Sequence, residues 1–126
     1  HGVKTPLATR RKRYLSQATI FTTFPEVGSP LEAEAFHAVA EQCQLTRYGM
    51  DCYAYALLAA GQIDLVIEAG LQAYDIQAPI ALVQAAGGVV SDWRGGNPMN
   101  GGRCICAATP ELHAAALDIL REVPLG

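Results

Sequence analysis

Apolar positions along the chain switch repeatedly between a period of two and a period near 3.6, and those switches mark its elements. Residues 18–24, ATIFTTF, are β-branched and aromatic and predict a strand. From residues 31 to 44, Phe36, Val39, Ala40 and Cys43 recur at i, i+3, i+4 and i+7, which is one buried face of a helix. LTRY at 45–48 reads as a short strand. GMDCYAYALLAAG at 49–61 reads as a helix that is apolar nearly all round, with Asp51 placed to cap it and Gly61 to end it. In IDLVIEA at 63–69, Ile63, Leu65 and Ile67 alternate with Asp64, Val66 and Glu68, so a strand is expected, with Glu68 at its C-terminal end. A helix over 75–86 follows, stopped by Gly87 and Gly88. VVSDW at 89–93 and CICAA at 104–108 predict two more strands around a glycine-rich loop. The last helix covers 109–120, with Thr109 at the N-cap, Pro110 at N1 and Glu111 in the first turn.

The resulting order is β-α-β-α-β-α-β-β-α. Strands that alternate with helices predict an α/β fold with a mainly parallel mixed sheet of about five strands, flanked by helices. A length of 126 residues suits one domain, spanning 1–126. A hydrophobic fraction of 51% against 17% charged is enough for a real core and argues against disorder. The net charge of −3 gives no reason to expect nucleic acid, and the basic run RRKR at 10–13 is short enough to be a solvated face. No apolar run approaches the roughly 20 residues of a membrane span, and no signal peptide is visible. The four cysteines, Cys43, Cys52, Cys104 and Cys106, match no common zinc spacing. The Cys104 and Cys106 thiols should share one side of a strand, and buried free thiols in a reducing cytoplasm are the expectation.

The chemistry is concentrated in EAGLQAYDIQAPIALVQAAGG, residues 68–88, where an apolar segment carries carboxylates at its entrance. Ligands of parallel sheets sit beyond the C-terminal strand ends, where helix N-termini also point. Glu68, Asp75 and Asp51 should therefore meet at one edge. Each also has a plain structural reading. Asp51 can cap its helix, worth about 1 kcal/mol. Asp75 can favour the positive end of a helix dipole, worth about 0.3–1 kcal/mol. Glu68 can be a solvated strand end. Pro79 cannot donate to the carbonyl of residue 75, which loosens that turn. Converging acids suit a hard divalent cation, or a polyhydroxy or cationic ligand, and Mg2+ is usually held by few carboxylates plus substrate phosphate.

RYGMDCYAYALLAAGQIDLVIEAGLQAYDIQAPIALVQAAGGVVSDW, residues 47–93, resembles the C-terminal half of the inositol-monophosphatase-like phosphatases. The family motif Trp-Asp-x-Ala-(Ala/Gly), leading to Glu-Ala-Gly-Gly, reads here as YDIQAP…QAAGG. Tyr74 replaces the Trp, Gln84 the acid, and Pro79 the second small residue. DCYAYALLAAG with YD, and IFTTFP at 20–25, are similar to the histidinol-phosphate phosphatase branch. The likeness covers roughly residues 3–120. It implies Mg2+-dependent hydrolysis of a small phosphate monoester without a covalent phospho-enzyme. By position, Asp75 matches the metal-ligating and catalytic aspartate, and Glu68 a substrate-hydroxyl contact. Asp51 matches a substrate-binding position that is small in inositol phosphatases; an acid there suits the amine of histidinol phosphate. The family's Gly-Glu-Glu and Asp-Pro-(Ile/Leu)-Asp-Gly-Thr motifs, which supply most metal ligands, do not occur in these residues. The expected partners are therefore an N-terminal metal-binding domain, the phosphorylated substrate and further copies of the chain. The chain alone is expected to be inactive, and the complete enzyme cytoplasmic. Inositol monophosphate and nucleotide 3′-phosphate stay open as substrates. A non-catalytic binding or assembly module, or a structural subunit, stays open as a different class.

Overall fold

The structure is a computed structural model that describes residues 11, 14–22, 29–48, 53–98 and 101–123, with the backbone alone at 53, 56, 70–76 and 101. Its elements are β1 (Thr19–Thr22), α1 (Pro30–Ala40), β2 (Leu45–Tyr48), α2 (Tyr53–Ala59), β3 (Leu65–Gln72), α3 (Ala73–Ala85), β4 (Val89–Ser91), β5 (Gly101–Ala107) and α4 (Pro110–Leu120), preceded by a 3-10 turn at Leu15–Gln17. The order of strands and helices is the one the hydrophobic pattern predicts. Among the described residues no helix is long and apolar enough to cross a membrane.

The sheet runs β2-β1-β3-β5-β4. β1 pairs in parallel with both β2 and β3, while β5 lies antiparallel between β3 and β4. Only β5 opposes the common direction, because the short 92–100 connection from β4 is a hairpin and not a helical crossover. α1 packs on α4, and α2 on α3. β4 shows that these pairs cover opposite faces. Ser91 reaches His113 of α4, whereas its neighbour Val90 lines a cavity with Ile80 and Gln84 of α3.

Covering both faces buries the central strand from Leu65 to Glu68. Leu65, Val66 and Ile67 are all excluded from solvent, together with Asp64. The alternation in IDLVIEA therefore separates two buried faces and does not separate inside from outside. Asp64 is a structural acid: its Oδ2 accepts the Thr19 N–H at 2.8 Å, and its own N–H returns to the Thr19 carbonyl at 3.0 Å.

Several boundaries differ from the sequence pattern: β5 starts at Gly101, ahead of CICAA, and β4 ends at Ser91. β3 continues past residue 69 to Gln72, and its register with β5 shifts between Glu68 and Leu71. Gly70 suggests the end of a strand, but here it falls within that irregularity and the strand resumes beyond it. α3 then begins at Ala73 with no intervening loop. Helix ends follow their glycines more closely. Gly61 and Gly87 take φ of 80° and 97°, the left-handed region a residue with Cβ resists. The N–H groups of Gln62 and Gly88 then reach back to Leu57 and Val83.

α4 is held at its start. Thr109 accepts from the Leu112 N–H at 3.3 Å. Ser91 Oγ donates to the Asp92 carbonyl at 2.7 Å and stands 2.6 Å from His113 Nε2. A hydroxyl has one hydrogen, so Nε2–H is the donor of the second contact. Burial pushes the His113 pKa below its usual 6.5. The unfolded chain therefore takes up this proton more readily than the folded one. The contribution is complete above pH 6.5 and is lost as pH falls from there through the lowered folded value. Urea midpoints should drop between pH 7.5 and 5.5, and His113→Gln should flatten that drop. Thr109→Ala should cost about 1 kcal/mol at either pH.

Candidate active site

Strand ends and helix starts converge at one edge of the sheet. β1 ends there at Thr22 and β2 at Tyr48, α1, α2 and α3 start there, and antiparallel β5 enters there at Gly101. This is the C-terminal edge of the parallel strands, where ligands of α/β sheets bind.

Glu68 is central to this edge. It lies mid-strand by element bounds, not at the strand's end, yet it is the last residue of β3 before the register shift with β5. At 6% exposure it is no solvated strand end, which removes its plain reading. Thr22 Oγ1 donates to Glu68 Oε1 at 3.0 Å, and Thr22 is itself 2% exposed. A buried carboxylate is costly unless hydrogen-bonded, and this hydroxyl supplies part of the compensation.

Cys104 stands opposite Glu68 in the β3–β5 register, so the Cys104 and Cys106 thiols share its face, 3.6 Å apart. Burial pushes the Cys106 thiol far up, with Cys104 and then the Glu68 charge adding to it. A thiol kept protonated is a poor nucleophile and a poor soft-metal ligand. Cys43, Cys104 and Cys106 are all free, as the composition suggests; Cys52 lies outside the described residues.

The start of α1 is fixed by a capping box. The Ser29 hydroxyl accepts the Glu32 N–H at 3.3 Å, and Glu32 Oε1 accepts the Ser29 N–H at 2.7 Å. The other Glu32 oxygen accepts from Arg103 Nε on β5, and the guanidinium lies over the Trp93 ring at 5.3 Å. Burial pushes the Glu32 carboxyl up, but the Ser29 N–H and Arg103 outweigh it and hold it below the usual 4.5. This cluster ties α1 to the strand that carries the thiols. Arg103 escapes a sequence reading because it follows Gly101–Gly102 and looks like loop. The Ser-x-x-Glu spacing of its partner is a legible signal.

Asp75 is the third residue of α3, so its backbone is in the first turn, at the same edge, as expected. Asp51 lies outside the described residues, as does RRKR apart from Arg11. Among the described residues no three metal-ligating side chains converge. A carboxylate at residue 75 fits a hard cation by donor type, but the described residues provide no cage around it.

The sequence profile of the inositol monophosphatase family matches residues 3–125. The chain belongs to that family. It is 45% identical over 89 residues to the Arabidopsis thaliana protein named bifunctional phosphatase IMPL2, chloroplastic, covering 71% of this chain and 26% of the relative. It is 34% identical over 89 residues to an inositol-1-monophosphatase of Mesorhizobium japonicum, covering 71% and 34%. An inositol monophosphatase structure from Zymomonas mobilis superposes with a TM-score of 0.87 at 34% identity, over 91% of this chain and 46% of that one. The chain thus spans between about a quarter and a half of the lengths of these relatives.

Where this family member departs from the motif, the fold absorbs the change. α3 runs unbroken through Pro79. Gln84, in the place of the motif acid, lines a cavity of about 310 Å³ with Ile80, Val90, Asn97 and Pro98, beside β4. The Glu32–Arg103 pair has side chains only 14% and 16% exposed. Arg103→Ala should therefore cost about 2 kcal/mol by chemical denaturation, by stranding a partly buried carboxylate. Arg103→Lys should recover only part, since an ammonium cannot lie flat on Trp93.

Proposed function

We propose that this chain is the substrate-facing part of a phosphatase that hydrolyses a small phosphate monoester with Mg2+. The observation that carries this reading is the placement of Glu68. It is buried, held by Thr22, and lies seven residues before an aspartate in the first turn of α3, all at the ligand-binding edge of the sheet. Family membership supports the same reaction class. When bound, Mg2+ would activate water and neutralise charge on the phosphoryl and leaving oxygens. Asp75 would supply one carboxylate to the cation. Glu68 would accept a hydrogen bond from the leaving alcohol and orient it. The motifs that supply the family's other ligands do not occur in these 126 residues, so this chain alone should not turn over substrate.

For the substrate, we infer an alcohol phosphate that carries a protonated amine, histidinol phosphate being the example. Asp51 supports this, because an acid two residues ahead of Tyr53 in sequence, in the place the family resemblance gives to substrate, would attract a cation and repel an anion. Inositol monophosphate is the second reading, favoured by relatives that carry that substrate in their names.

Both readings are tested in the full-length protein. Asp75→Asn should lower kcat by orders of magnitude while the melting temperature holds. Asp51→Ala should lower kcat/KM for histidinol phosphate about 10- to 100-fold relative to inositol monophosphate, the scale of one charge-assisted contact. An unchanged ratio with a lower melting temperature makes Asp51 a helix cap and returns the preference to inositol monophosphate.

A further inference from the structure

We infer that Thr22 is the positioning residue for Glu68, setting that carboxylate as the acceptor for a hydrogen-bond donor on the leaving group. The inference rests on the functional reading above and adds a residue to it. Thr22 closes β1, and the parallel register places Ile20 beside Leu65 and Phe21 beside Val66. The end of β1 is thereby brought alongside the stretch of β3 that leads into Glu68. The contact spans 46 residues of sequence, at 3.0 Å, between two side chains that are both almost wholly buried.

The chemistry of the pair gives it direction. The Thr22 O–H donates and a Glu68 carboxylate oxygen accepts, so the neighbouring strand holds that oxygen. An ionised carboxylate only accepts, and the group it recognises must donate: a hydroxyl or an ammonium. Glu68 also sits where β3 loses its regular register with β5, so the backbone on its C-terminal side is irregular. The hydroxyl, borne by the neighbouring strand, fixes the carboxylate from the other side. A β-branched residue suits this task, because its χ1 is stiff and the hydroxyl direction is set by the strand.

The test compares Thr22→Val, which keeps the shape and removes the donor, with Thr22→Ser, which keeps the donor. In the full-length enzyme, Thr22→Val should raise KM about tenfold for histidinol phosphate or inositol monophosphate and leave kcat within about threefold. Hydrolysis of p-nitrophenyl phosphate, whose leaving group has no such donor in place, should be unaffected. Thr22→Ser should restore most of the loss. Equal losses on all three substrates, or no rescue by Thr22→Ser, would overturn the assignment. A second readout needs no turnover. In the chain labelled with carboxyl-¹³C glutamate, the Glu68 signal should move in Thr22→Val and return in Thr22→Ser, with the far-ultraviolet circular dichroism unchanged. A Glu68 signal indifferent to Thr22 refutes the contact itself. A signal that moves in an enzyme without phosphatase activity keeps the contact and refutes the functional reading.

Discussion

The structure depends on a central strand that is buried on both faces over Leu65–Ile67, with one buried carboxylate just before it and another within it. β3 lies between β1 and β5, with α1 and α4 over one face and α2 and α3 over the other. Apolar burial over Leu65–Ile67 drives this arrangement, and Asp64 and Glu68 must be satisfied inside it. β1 provides for both. Its first residue gives a backbone N–H to Asp64, and its last gives a hydroxyl to Glu68. The two strands are thereby locked in register at both ends.

The two acids have different consequences because of where they lie. Asp64 is at the N-terminal edge, where its backbone also ties Thr19 and Ala108. Its side chain is taken up by the Thr19 N–H, and its role is structural. Glu68 is at the opposite edge, shared with the starts of three helices. There the peptide dipoles favour anions. The Thr22 hydroxyl holds Glu68 locally, and the Glu32–Arg103–Trp93 cluster stiffens the adjoining start of α1.

The chain belongs to the inositol monophosphatase family, and an aspartate stands in the first turn of α3. That membership fits the scarcity of metal ligands among the described residues, since the chain corresponds to a fraction of its relatives' length. The cysteines contribute packing: Cys104 and Cys106 are buried, burial pushes the Cys106 thiol well up, and Cys43 is pushed up to about 11 by burial and by Asp64.

The sequence alone determined the element order, the glycine stops at Gly61 and Gly87, the Thr109 cap and the single-sided thiol pair, because each is fixed by side-chain period or by local backbone chemistry. The same local signals placed Asp75 in a first helical turn. The end of β3 was not legible, since Gly70 resembles a stop and only pairing with β5 shows that the strand resumes past it. The antiparallel course of β5 likewise followed from the shortness of its connection to β4, not from its composition. The burial of Glu68 and Asp64 was hidden because alternation tells one face from the other but not which faces are covered. Above all, the Thr22–Glu68 contact joins residues 46 apart, through a strand neighbour that no local period encodes. Strand order is decided by which apolar faces pack together across the whole domain, and the candidate site is assembled by that order.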